Sequence, residues 1–357
     1  MTTTGRTTWT ELTGLPAELL ALAERCYAAD DGLPLAIDPS FLGRRWAADG
    51  GSAFGLTAAD GSLVAAGAAR LTPGGPAFTG LVDPAVRGRG LGSALLDHGL
   101  ALASELAEAK SAAPDGRSGR HAAGSEVPGK HAADSEVSGE RAVGSEVSGE
   151  HAADNGPSGE HAGGSGASGK YADVTVETET LTDDAAALFE ARGLRQVFAE
   201  QVMRIELDDS LPGAEAWPAG VTVVSWSGAV APRFHATYHA AFSDRPGFPG
   251  DPAEEWIAEN ENDDDFRPEC SLLVTLPDLG DVGFIIAARD WVVQVGVVPL
   301  ARRRGLAAAT ILDSLSRMRA AGDTRAWLTV NVNNPGAAAL YRRLGFTGRG
   351  RRARYQP

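Results

Sequence analysis

A short pattern occurs twice in this chain of 357 residues, once in each half. The first copy is Val82-Asp83-Pro84-Ala85-Val86-Arg87-Gly88-Arg89-Gly90-Leu91-Gly92. The second is Val297-Val298-Pro299-Leu300-Ala301-Arg302-Arg303-Arg304-Gly305-Leu306-Ala307. Each reads as the end of a β-branched strand, a proline-marked turn, an Arg-x-x-Gly-x-Gly/Ala loop and an Ala/Leu-rich helix. Glycine and alanine let backbone N–H groups crowd around an anion, and a helix start adds partial positive charge. A pyrophosphate-bearing cofactor suits that geometry. Its occurrence in both halves predicts a tandem duplication of one strand–loop–helix architecture.

The chain is long enough for two domains with hydrophobic cores, and 43% of its residues are hydrophobic. No apolar run reaches the roughly 18 residues of a membrane span. Met1-Thr2-Thr3-Thr4-Gly5-Arg6 has no signal-peptide core, and the two cysteines, Cys26 and Cys270, offer neither a disulfide framework nor metal-ligand spacing. These features predict a cytoplasmic protein without a membrane partner. A formal net charge of -15 and a pI near 4.9 argue against a nucleic-acid-coating protein, whose affinity rests on neutralising phosphates. The same balance is compatible with an amine-bearing substrate.

Between residues 110 and 170 a ten-residue unit recurs, as in Ser118-Gly119-Arg120-His121-Ala122-Ala123-Gly124-Ser125-Glu126-Val127, with degenerate copies from Ser138, Ser148 and Ser158. One valine and a few alanines per unit cannot offset the entropy of ordering, so a disordered insertion is expected. His121, His131, His151 and His161 follow the repeat, as slippage of a repeated unit would place them.

The elements flanking the insertion belong together. Leu91, Leu95, Leu102 and Leu106 form one helical stripe over about 91–107, and Val174–Glu177 alternates like a strand. Asp183–Leu194 reads as a short helix with a glycine stop, and Gln196–Leu207 as a closing strand. The first domain is therefore expected over 1–207 and a linker over 208–218. The second domain, 219–357, starts the element order again. Strands are expected at 221–226, 271–276, 282–288, 291–297, 326–332 and 346–355, with helices at 231–242, 252–260, 306–321 and 335–344. The first half matches, with strands near 7–11, 53–57 and 63–71 and helices near 17–28 and 39–48. Each half is read as a mixed α/β layer, an α+β mixed sheet.

Downstream of the second loop lies Asn331-Val332-Asn333-Asn334-Pro335-Gly336-Ala337-Ala338-Ala339-Leu340-Tyr341-Arg342-Arg343-Leu344-Gly345-Phe346. Together with the loop and its strand, this series resembles the GCN5-related N-acetyltransferase (GNAT) family, which transfers acetyl groups from acetyl-CoA to amines. The resemblance covers both halves and is similar to the tandem acetyltransferases of high-GC actinobacteria, mycothiol synthase among them. It implies two tandem acyl-CoA N-acyltransferase domains, the first carrying the insertion, acting as a monomer or homodimer.

The resemblance implies roles for matching residues. Val295, Gly296 and Val297 would offer backbone groups to the pantetheine arm, with an oxyanion held by a backbone N–H near Val297. Arg302, Arg303, Arg304, Gly305, Leu306 and Ala307 would cradle the pyrophosphate. Asn334 would contact the cofactor near sulfur or cap the helix before Pro335. Tyr341 would protonate the departing thiolate: a phenol titrates at roughly 10 and a thiol at roughly 8.5. The same implication extends to Leu81, Val82, Arg87, Gly88, Arg89, Gly90, Leu91 and Gly92.

A gapless comparison sets Phe189 opposite Tyr341 and Thr182 opposite Asn334, so the first half lacks the phenol. The second half is expected to catalyse and the first to act as its companion. The expected activity is acetylation of a small-molecule amine in a ternary complex. Protein or peptide acetylation and a non-catalytic acyl-CoA sensor are the other classes. No general base emerges: His235, His239, Glu254, Glu255, Glu259 and Glu261 lie in the acceptor region, and the neutral amide of Gln294 cannot serve.

Overall fold

The computed structural model describes residues 8–48, 50–112, 173–212, 217–245, 248 and 250–357. The decapeptide repeats with His121, His131, His151 and His161 lie outside the described residues. In the first half the strands are β1 (Thr10–Leu12), β2 (Ser52–Thr57), β3 (Leu63–Thr72), β4 (Gly75–Val82), β5 (Thr175–Thr178) and β6 (Arg195–Glu206). Its helices are α1 (Ala17–Asp30), α2 (Pro39–Trp46), α3 (Leu91–Ala112) and α4 (Asp183–Glu190). The second half has β7 (Thr222–Ser225), β8 (Leu272–Leu276), β9 (Gly280–Ala288), β10 (Trp291–Val297), β11 (Arg325–Asn331) and β12 (Thr347–Gln356). Its helices are α5 (Ala231–Phe242), α6 (Ala253–Glu261), α7 (Leu306–Ala320) and α8 (Pro335–Arg343). No helix among the described residues is long and apolar enough to cross a membrane.

All twelve strands form one mixed sheet, in the order β1-β2-β3-β4-β5-β12-β6-β11-β10-β9-β8-β7. Most neighbours are antiparallel; β4–β5 and β10–β11 are parallel. The last strand of each half is exchanged. β12 lies between β5 and β6, pairing Tyr355 with Val176 and Ala353 with Ala199. β6 in turn pairs with β11 from Arg325↔Glu206 to Asn331↔Glu200.

Helical and strand periodicities decide which face each element covers. Leu19, Leu22, Ala23 and Cys26 recur at helical spacing and turn α1 onto Ala66 and Ala68 of β3. α3 and α4 cover the opposite face through Leu95, Leu96, Leu100 and Phe189, against Phe78, Val176 and Tyr355. The second half repeats the layering. α5 and α6 bury Phe234, Tyr238, Phe242 and Trp256 on one face. α7 and α8 bury Ile311, Leu315, Ala337 and Tyr341 on the other.

β12 is arginine-rich, yet it sits mid-sheet because alternation sorts its side chains. Ala353 and Tyr355 join the cluster under α4. On the opposite face Arg352 pairs with Glu200 at 2.7 Å, Arg354 lies 3.6 Å from Glu177, and both guanidinium groups stand 5.4 Å from the Phe198 ring centre. Glu177 also binds Arg45 and Arg70, so charge is buried there only in paired form.

Candidate active site

The parallel pair β10–β11 begins and almost at once ends. One partner pair, Trp291↔Trp327, joins them, while on its other edge β10 follows β9 as far as Val297↔Gly283. A register shift between Val292 and Gln294 bends the strand where it leaves β11. Over Val295, Gly296 and Val297 β10 therefore parts from β11 and borders a cleft in which an extended amide-bearing chain can lie alongside it. Gly296 admits close packing behind it: a Cβ there would lie 2.8 Å from Phe284 and 3.0 Å from Ala241 on α5. The β4–β5 pair has two partner pairs, Ala77↔Thr175 and Phe78↔Val176, leaving Leu81 and Val82 beyond the paired stretch.

At the open end of each cleft the chain turns into a helix by the same path. After a short 3₁₀ turn, Arg302 is extended (φ -61, ψ 159), as is Arg87 (φ -60, ψ 165). Left-handed residues follow at Arg303 (φ 67) and Gly305 (φ 78), matched by Gly88 (φ 73) and Gly90 (φ 83). Alternating backbone handedness before a helix start turns successive N–H groups into one concavity, an anion-binding nest. Arg303 adopts a conformation that costs a non-glycine residue roughly 1–2 kcal/mol. Arg303, Arg304 and Gly305 are exposed, whereas Leu306 is buried and Ala307 half-buried against the core. Arg89 and Gly90 are exposed likewise, with Leu91 and Gly92 half-buried. A cavity of about 250 Å³ opens beside Arg304, lined by Pro218, Pro277, Leu279 and Leu306 among others. It adjoins the turn and lies outside the strand cleft.

The leading arginines are positioned differently from the exposed pair. Arg302 donates through Nε to Val297 O at 3.2 Å, through both terminal nitrogens to Asp244 at 2.8 and 3.1 Å, and to Ala241 O at 3.1 Å. Arg87 donates to Val82 O at 3.0 Å and to both carboxylate oxygens of Asp30 at 2.6 and 2.7 Å. Both guanidinium groups are engaged by the protein itself.

Asn334 caps α8, its side chain accepting from Ala337 N at 3.1 Å, and Pro335 starts the helix. Tyr341 lies on the inner face of α8, fully buried. It belongs to the cluster that contains Val295, Leu328 and Val330 from the two cleft strands, and meets Phe346 edge-on at 5.7 Å. In the first half Thr182 caps α4 by accepting from Ala185 N at 3.1 Å. Phe189 there meets Tyr355 edge-on at 5.0 Å.

Facing α5 and α6, Gln294 accepts a hydrogen bond from Trp256 Nε1 at 3.2 Å. A ring nitrogen of His235 lies 2.9 Å from Asp251 O, and the Tyr238 hydroxyl donates to the Asp251 carboxylate at 2.8 Å. Burial, then this carboxylate, pushes the Tyr238 phenol up. Glu261 accepts from Trp226 Nε1 at 3.0 Å; Glu254, Glu255, Glu259 and His239 are exposed. Asp251 and Glu200 escaped the sequence reading. Glu200 is 3% exposed and opposite Asn331; burial holds its carboxyl above the usual range, against the opposing pull of Arg352. No local pattern marks either residue, because their partners come from other elements.

Residues 234–346 match the family model described as "Acetyltransferase (GNAT) family". That match spans most of the second half, which is therefore similar to GNAT acetyltransferase domains. Among solved structures, a GCN5-related N-acetyltransferase from Sphaerobacter thermophilus superposes with a TM-score of 0.63 at 22% identity, covering 98% of this chain and 95% of that one. A tandem GNAT protein from the clavulanic acid biosynthesis pathway gives 0.54 at 16% identity, with 98% of each chain covered. Both likenesses establish the fold over nearly the whole chain, so the GNAT architecture extends to the first half. No curated protein matches the sequence.

Proposed function

We propose that the second half transfers the acetyl group of acetyl-CoA to a primary amine of a small molecule, by direct attack in a ternary complex. The observation that carries this reading is one continuous path. It joins the stretch of β10 beyond its pair with β11, the left-handed Arg303–Gly305 turn at the start of α7, and Tyr341 in one cluster with Val295 and Val330. Backbone groups of Val295–Val297 suit the pantetheine amides, and the N–H nest of the turn suits the pyrophosphate. Tyr341 is the general acid for the departing thiolate. Asn334 holds the helix start that positions it. Gln294, held by Trp256, is an amide and orients the acceptor without taking its proton.

The first half retains the turn at Gly88 and Gly90 but carries Phe189 in place of the phenol, and acts as a companion domain. The test is release of free CoA from acetyl-CoA across a panel of amines, with acceptor products detected by mass. Turnover abolished by a change at Tyr341 supports the assignment. Acetyl-CoA binding with no turnover on any amine would favour a sensor instead, and failure to bind acetyl-CoA would remove the reading.

A further inference from the structure

The first arginine of each Arg-x-x-Gly loop reaches backwards, away from the exposed arginines that follow it. Arg302 ties the last carbonyl of β10, Val297 O, to the end of α5 through Ala241 O and Asp244. Arg87 does the same in the first half, tying Val82 O of β4 to Asp30, the last residue of α1. The two sites agree in donor atom, acceptor type and helix end, although the surroundings differ. The Asp30 side chain is 8% exposed and that of Asp244 45%. A guanidinium suits this place because its planar fork can grip a carboxylate with two parallel bonds while Nε reaches a third acceptor. The C-terminal end of a helix also favours a cation.

We propose that Asp244 is a positioning residue for the cofactor turn, acting through Arg302. By fixing Arg302 in its backward pose, Asp244 sets where the chain leaves β10, and so where the N–H groups from Arg303 to Ala307 point. The arginine is a strut; phosphate contact falls to the turn's backbone and to Arg303 and Arg304. Asp30 and Arg87 form the equivalent strut in the first half. This inference rests on the proposed function, since it takes a pyrophosphate-bearing ligand to occupy the turn.

The strut and a direct phosphate contact predict opposite signs for one substitution. Removing a carboxylate near a polyanion site strengthens binding by electrostatics alone. If Asp244 instead positions the turn, its removal weakens binding. The experiment is calorimetric titration of the full-length protein with coenzyme A at several salt concentrations. For Asp244→Ala the expected result is about tenfold weaker binding, as when a misplaced group loses its alignment, with the salt dependence of the wild type. Arg302→Ala should weaken binding to the same degree, and the double variant should be no worse than either single one. Arg304→Ala should reduce the salt dependence. Tighter or unchanged binding by Asp244→Ala, with the wild type binding normally, overturns the strut alone. A wild type that binds no coenzyme A removes both readings. Should Asp244→Ala fail to fold, the isosteric Asp244→Asn serves: weaker binding supports the strut, and tighter or unchanged binding overturns it.

Discussion

Phe189 and Tyr341 occupy the same step of equivalent helices, each at the same distance beyond the side chain that caps its helix, Thr182 or Asn334. Both rings are buried and both meet a second aromatic ring edge-on. At this step of the helix the second half thus differs from the first by one phenolic hydroxyl.

Tyr341→Phe tests that hydroxyl with little change of shape. Loss of a general acid should lower kcat about a hundredfold, while the Michaelis constant for acetyl-CoA stays within about threefold, because binding rests on β10 and its turn. Steady-state kinetics of CoA release checks this; an unchanged kcat would remove Tyr341 from the mechanism.

Arg303→Gly copies Gly88 into the second turn. Relief of the left-handed conformation should raise stability by up to about 1 kcal/mol, less what glycine's freedom in the unfolded chain takes back. Affinity for coenzyme A should nonetheless fall, since a cation beside the nest is lost. Urea denaturation and calorimetry on the same sample would show stability and binding moving in opposite directions.

Glu177→Gln removes the carboxylate shared by Arg45 and Arg70, whose side chains are 8% and 10% exposed; Arg45 keeps Glu179 at 2.9 Å, and Arg70 loses its charged partner. Breaking such a buried pair costs about 3–5 kcal/mol. Equilibrium urea unfolding should show the midpoint falling by the corresponding amount, and a loss under about 1 kcal/mol would mean that water reaches the cluster.

Cys26 and Cys270 are buried, and burial pushes their thiols from an ordinary 9.0 to about 11 and about 12. The folded protein should therefore resist a thiol-specific disulfide reagent at pH 8, and both thiols should react on unfolding. The sign of the pH effect follows from the raised values. Unfolded thiols release protons first, so these groups support the fold below pH 9 and withdraw that support as pH climbs towards 11 and 12. A Cys26→Ser, Cys270→Ser variant should lose part of the wild type's stability decline between pH 9 and 11.

Local pattern carried much of this structure. Apolar spacing located α5 at Ala231–Phe242 and β10 at Trp291–Val297 with the bounds observed, and the duplicated loop pointed to both turns. α3, expected to stop near 107, continues to Ala112, because alanine and glutamate there favour helix whether or not a core lies beneath. What stayed hidden are partnerships between distant elements. Nothing around Arg302 indicates Asp244, nothing around Glu200 indicates Arg352, and nothing in the arginine-rich Thr347–Gln356 says that it will lie mid-sheet. Those outcomes depend on which strand fills which gap, and strand neighbours are chosen by three-dimensional complementarity.

The exchange of β6 and β12 sets the order in which this protein can be completed. On the ribosome β6 is made well before either of its sheet neighbours, β11 and β12. Until they arrive, both edges of a twelve-residue strand lack the partners they have in the finished sheet, a template for pairing with other chains. A nascent chain that has not yet reached β12 thus leaves a gap between β5 and β6, which these ten residues fill.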